Sequence, residues 1–190
     1  MTVRVTLLSP AMSSAVREAR FDDDASLDAS GLAAARSAAG TLPSPGTALS
    51  SPSARCRQTA AALGLTAAPH EALRGCAMGS WRGLRLDEVA AERPEQVAAW
   101  LADPAAAPHG GESLQQLGGR VGGWLDGLAA ESGRVVAVVE PDVVRAAVVH
   151  ALDLPAPVFW RLDVPPLAFT VITGRAGRWN LRLGAATAGG

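Results

Sequence analysis

The stretch Arg134-Val135-Val136-Ala137-Val138-Val139 constrains the fold of this chain more than any other. A near-continuous run of β-branched residues reads as a parallel strand buried on both faces. Such a strand belongs in the middle of a sheet that helices cover on both sides. Val3-Arg4-Val5-Thr6-Leu7-Leu8 reads as the first strand of that sheet, and Thr47-Ala48-Leu49-Ser50 as another. Phe169–Thr173 and Trp179–Leu183 alternate as two strands around the Gly174–Gly177 turn, which predicts an edge hairpin.

Helices fill the intervals. Ser30 is placed to N-cap a helix from Gly31 to Ala39, with Gly40 closing it. Ser51-Pro52 opens a helix through Leu63, with Pro just inside the first turn. Two short helices are expected over Leu86–Glu92 and Pro94–Leu101. The longest, over residues 112–131, puts Leu114, Leu117, Val121, Trp124, Leu125 and Leu128 on one face. A last helix runs from Asp142 to Leu152. Residues 9–29 read as a polar loop with Asp22-Asp23-Asp24 as a solvated acidic patch. The order β-α-β-α…β-α-β-β predicts a three-layer α/β/α sandwich on a mostly parallel central sheet. One domain is expected over residues 1–184, with residues 185–190 as a flexible tail.

The balance of charge narrows the function classes. The 190 residues carry a net charge of −1, which gives no electrostatic footing for nucleic acid or an anionic membrane. No apolar run approaches the ~20 residues that cross a bilayer, and no signal peptide is visible at the start. Cys56 and Cys76 have no metal-ligand spacing and are expected as free thiols in a reducing, cytoplasmic setting. No His/Cys/Asp/Glu cluster suits a metal, and no glycine-rich phosphate loop follows a strand, so no cofactor is expected.

Four segments carry more specific information. They are Leu7–Ser13; Ser50-Ser51-Pro52-Ser53-Ala54-Arg55-Cys56-Arg57-Gln58-Thr59-Ala60; Gly79-Ser80-Trp81-Arg82-Gly83-Leu84 with Gly110-Gly111-Glu112-Ser113; and Val138-Val139-Glu140-Pro141-Asp142-Val143-Val144-Arg145-Ala146. In this order and at these spacings the chain resembles the histidine phosphatase superfamily, the phosphoglycerate mutase-like proteins. The second segment matches that family's Ser-Ser-Pro-x-x-Arg-x-x-Gln-Thr-Ala. The resemblance implies a cationic phosphate pocket of two Arg and two His where strand ends meet helix N-termini.

By position, Arg55 matches a phosphate-binding Arg. The family's Arg-His-Gly, whose His is the nucleophile, falls on Ser9-Pro10-Ala11. A proline nitrogen has no usable lone pair and cannot attack phosphorus. The second His falls on Glu140, and acidic residues of the family fall on Gly75 and Ala77. The resemblance thus implies a degenerate member, a pseudophosphatase, that binds a small molecule or a protein through an altered pocket. An alternative is a repurposed enzyme. In it Glu140 is a general acid or base, Arg55 holds a carboxylate or enolate, and Glu112 or His109 assists. A residual phosphomonoesterase is a distant third.

Each candidate also has a plainer explanation. Glu140 and Arg55 can form a buried pair that neutralises the pocket. Glu112 and Asp142 suit helix N-termini in any protein. His109 is expected in an exposed loop, and Pro10 as a turn former. Ser9 and Ser13 could bond a ligand, but no partner to activate either is visible.

Overall fold

The computed structural model describes residues 2–21, 23–40, 42, 45–128, 132–175 and 177–183. Six strands form one sheet: β1 (Val3–Leu8), β2 (Thr47–Ser50), β3 (Ala68–Pro69), β4 (Arg134–Val138), β5 (Phe169–Arg175) and β6 (Arg178–Arg182). The order is β3-β2-β4-β1-β5-β6. The pairs β1–β4, β2–β4 and β2–β3 are parallel, and β1–β5 and β5–β6 antiparallel. The valine-rich β4 is central, and the terminal hairpin lies at one edge, both as expected.

Strand alternation sorts side chains into two cores. Val3, Val5 and Leu7 of β1 join Val135 and Ala137 of β4 in the larger one. There they pack under α6 (Leu114–Asp126) and α7 (Pro141–Ala151). Leu8 and Val138 face the other way, onto Cys56, Ala60 and Leu63 at α3 (Ala54–Ala62). α2 (Ala29–Ser37) packs beside α3. The result is the α/β/α sandwich. Between α6 and α7 the His150 ring lies over Gly122, where a Cβ would come within 2.4 Å of it. His150 itself bonds Asp126 at 2.9 Å, and Asp126 also accepts from Trp179 Nε1.

Several expected boundaries move, each for a local hydrogen bond. Asp28, not Ser30, caps α2 by accepting from Gly31 N–H, and Ser30 Oγ donates to Asp28 instead. Ser53 caps α3, so Pro52 lies before the helix rather than in its first turn. Ser113 and Gln116 close a capping box that starts α6 after Glu112. Part of the 9–29 loop is helical as α1 (Ser14–Arg17), capped by Ser13. In the acidic patch Asp24 accepts from Ala54 N–H at 2.7 Å, so it caps α3 as well as meeting water; Asp22 lies outside the described residues. The helices α4 (Leu86–Glu92) and α5 (Pro94–Ala102) fall where the sequence puts them. The expected tail at 185–190 also lies outside the described residues.

Candidate functional site

The parallel strands β1, β2 and β4 end together. Val139 N–H donates to Leu8 carbonyl and Ser51 N–H to Val138 carbonyl, at 2.9 and 2.8 Å. This register brings Ser9-Pro10, Ser51-Pro52-Ser53 and Glu140 to one edge of the sheet. In parallel α/β sheets that edge is where ligands bind. Carried one step past β4, the alternation that points Leu8 and Val138 toward α3 points Glu140 there too.

Glu140 meets Arg55 in a two-pronged salt bridge. Arg55 Nε donates to Glu140 Oε1 at 2.9 Å, and Nη2 contacts Oε2. The Ser53 hydroxyl donates to Oε1 at 2.7 Å while its oxygen caps α3. The side chains are 14% and 4% exposed, so the pair is formed largely out of water. Cys56 Sγ lies 3.5 Å from Oε1, and burial followed by the Glu140 charge raises this thiol's pKa well above its ordinary value. Gly75 packs on Glu140: a Cβ there would lie 3.1 Å from Glu140 Cγ.

Asp142, on the first turn of α7, accepts from Cys76 N–H at 2.6 Å and from Val143 N–H at 2.7 Å. Burial, and then the neighbouring Glu140 charge, push its carboxyl up to about 6 despite those bonds. Beside these groups opens a cavity of about 220 Å³. Arg55, Glu140, Asp142 and Arg145 are its charged lining, and Phe21, Trp100, Phe159 and Trp160 much of its apolar wall. A second cavity, of about 380 Å³, lies against Ser51, Ser53, Arg74 and Arg82.

The other sequence candidates are placed differently. Glu112 is held by Arg120 at 2.8 and 2.6 Å, and by Arg74 at 3.5 Å. His109 is 2% exposed, not on an exposed loop. Its ring packs on Trp81 at 5.1 Å, and Nδ1 accepts from Gly111 N–H. Burial lowers its pKa, so the ring is neutral. Ser9 Oγ accepts from Ala168 N–H and donates to Pro165 carbonyl, fastening β1 to the 162–168 loop. Ser13 is occupied as a helix cap, and Pro10 is buried. None of Ser9, Pro10, Ser13, His109 and Glu112 lines either cavity. The aromatic wall escaped sequence reasoning, although the Phe159-Trp160 pair between two Pro-rich stretches was a usable signal.

Residues 13–187 match the family model for the histidine phosphatase superfamily, branch 1. The chain belongs to the histidine phosphatase superfamily. The fold is similar to that of mycobacterial glucosyl-3-phosphoglycerate phosphatase in complex with VO3. That pair has 27% identity, a TM-score of 0.83, and 95% and 97% of the two chains covered. It is also similar to a Thermus thermophilus protein at 30% identity and TM-score 0.73, covering 96% and 99%. The alpha-ribazole phosphatase of Shigella flexneri shares the fold at 22% identity and TM-score 0.84, covering 98% of each chain. No curated protein matches the chain. Among the described residues no helix is long and apolar enough to cross a membrane, and no group of three or more His, Cys, Asp or Glu is placed to hold a metal ion.

Proposed function

We propose that this chain is a catalytically silent member of its superfamily, without phosphatase or mutase activity, that binds a small molecule or a protein partner through the altered pocket. The observation that carries the proposal is the Glu140 carboxylate seated on Arg55. Arg55 is the residue that the resemblance assigns to phosphate, and Glu140 replaces a His that the resemblance expects. A phosphoryl dianion entering beside Glu140 meets a like charge. At ~4 Å and an effective dielectric of ~20 the repulsion is roughly 4 kcal/mol per unit charge. Asp142 adds a second carboxylate at the N-terminus of α7, an end that otherwise favours anions. Pro10 at the nucleophile position offers no attacking nitrogen. Cys56 and Cys76 are free and buried, which supports a reducing, cytoplasmic setting.

A second reading retains catalysis on a non-phosphate substrate. It is favoured by an open cavity that holds an acid with a pKa near neutrality, Asp142, next to Glu140. Against it, both Glu140 oxygens already accept hydrogen bonds.

The superfamily neighbours named as phosphatases make phosphomonoester hydrolysis the activity to test first. The purified protein is assayed with p-nitrophenyl phosphate, and vanadate binding is followed by thermal shift. The wild type is expected to be silent in both, and Glu140→Gln to gain vanadate stabilisation as Arg55 loses its partner. Hydrolysis by the wild type that Arg55→Ala abolishes would overturn the proposal. Turnover of a non-phosphate substrate lost in Glu140→Gln would establish the second reading.

A further inference from the structure

The geometry points to a small aromatic amine as the occupant of the 220 Å³ cavity, its ring against the aromatic wall and its ammonium on Asp142. This inference rests on the non-phosphatase reading and names the ligand class for that pocket. Three facts carry it. First, the wall is a connected set of rings. Trp100 lies 5.8 Å from Phe21 and 4.6 Å from Trp160, which lies 5.1 Å from Phe159. Ring faces carry negative potential and attract cations. The fold already uses this, since Arg145 Cζ sits 5.8 Å from the Phe159 ring centre.

Second, the charges on the wall are unequally matched. Glu140 is paired with Arg55. Arg145 forms no salt bridge among the described residues but donates through Nε to Leu162 carbonyl at 2.7 Å and rests on Phe159. Asp142 forms no salt bridge among the described residues. Its oxygens accept one backbone N–H each and retain lone pairs for a further donor. Third, the volume is below the ~300–1,000 Å³ of sites for drug-sized ligands, which limits the occupant to about one ring with a short side chain.

The groups facing Asp142 are Glu140 before α7, Arg55 from α3, the Cys76 thiol from the 74–78 loop, and Arg145 one turn on. Cys76, pushed up to about 12, stays neutral. Asp142, at about 6, gains its charge as pH rises through that value. Amine binding therefore strengthens between pH 5 and 7.5.

Three ligands of one shape and different charge test this by calorimetry: phenethylamine, 2-phenylethanol and 3-phenylpropionate. The wild type at pH 7.5 is expected to bind the amine at least tenfold tighter than the carboxylate. Asp142→Asn should bring amine and alcohol within about twofold of each other and remove the pH dependence. Trp160→Leu should weaken all three alike, which separates the ring's contribution from the charge's. Circular dichroism of both variants confirms folding. A preference for phenylpropionate, no binding of any ligand, or an amine preference that survives Asp142→Asn would overturn the inference. The same preparation is assayed for p-nitrophenyl phosphate hydrolysis. Silence with the wrong ligand order removes only this inference, whereas Arg55-dependent hydrolysis removes the functional reading beneath it.

Discussion

Among the described residues, the Glu112–Arg120 and Glu140–Arg55 pairs are both mostly buried and both two-pronged, yet they are different devices. In the Glu112–Arg120 pair the guanidinium is saturated. Beyond Glu112 it donates to the carbonyls of Ala72 and Arg74 at 2.9 Å and approaches that of Gly75 at 3.5 Å. That arginine clasps α6 to the 72–75 segment. In the Glu140–Arg55 pair the partners are a helix-capping serine, a thiol and a cavity. Burial and pairing alone do not mark a site. What distinguishes them is the surroundings, backbone carbonyls around Arg120 and a cavity beside Arg55.

Four measurements break or sharpen that contrast. The largest effect is expected for Arg120→Ala, which strands Glu112 and several carbonyls. Denaturant unfolding should show a loss of about 3–5 kcal/mol, and a loss under 1 would refute the clasp. Next is the pH dependence of Asp142, a carboxylate with no salt bridge among the described residues. Its folded pKa lies above its ordinary value, so the stability linked to its protonated form is full below pH ~4 and lost as pH rises through about 6. Wild type should therefore lose ~2 kcal/mol relative to Asp142→Asn between pH 4 and 7.5; parallel stability curves would contradict this. Arg55→Ala should cost about 2 kcal/mol. That is less than Arg120→Ala, because Glu140 keeps the Ser53 hydroxyl and stands beside space that admits water. The smallest effect is the double change Arg55→Met with Glu140→Leu, expected within ~1 kcal/mol of wild type because the desolvation of both charges goes with them. The matching change at Arg120 and Glu112 should be clearly worse, since it leaves the carbonyls of Ala72 and Arg74 without their donor.

Much of the fold could be read from pattern. The β4 valines, the terminal hairpin and the Pro-opened α5 each follow from a local rule with no tertiary competitor. Strand β3 could not be read, being two exposed residues that include Pro69 and take their place only by pairing with Leu49-Ser50. The caps lie two residues from the serines that the sequence suggests, because Asp28 and Ser53 outcompete Ser30 and Ser51 for helix N–H groups. Juxtaposition of Arg55 and Glu140 followed from the family resemblance, which puts both positions in one pocket. The aromatic wall did not, since Phe21, Trp100 and Phe159-Trp160 lie on three separate segments that no periodicity links. His109 misled for a related reason: a Pro/Gly-rich context suggests exposure, but the loop folds inward onto Trp81.

Gly75 lies under the Glu140 side chain and within reach of Asp142. An acidic residue at 75 would bring a third carboxylate against Glu140 and against Asp142, whose carboxyl is already pushed up by burial and the Glu140 charge. With a neutral or cationic residue at 140 the same change would be tolerated. Substitutions at 75 and 140 are therefore epistatic, and their order matters. An acidic side chain at 75 is accommodated only once position 140 has changed.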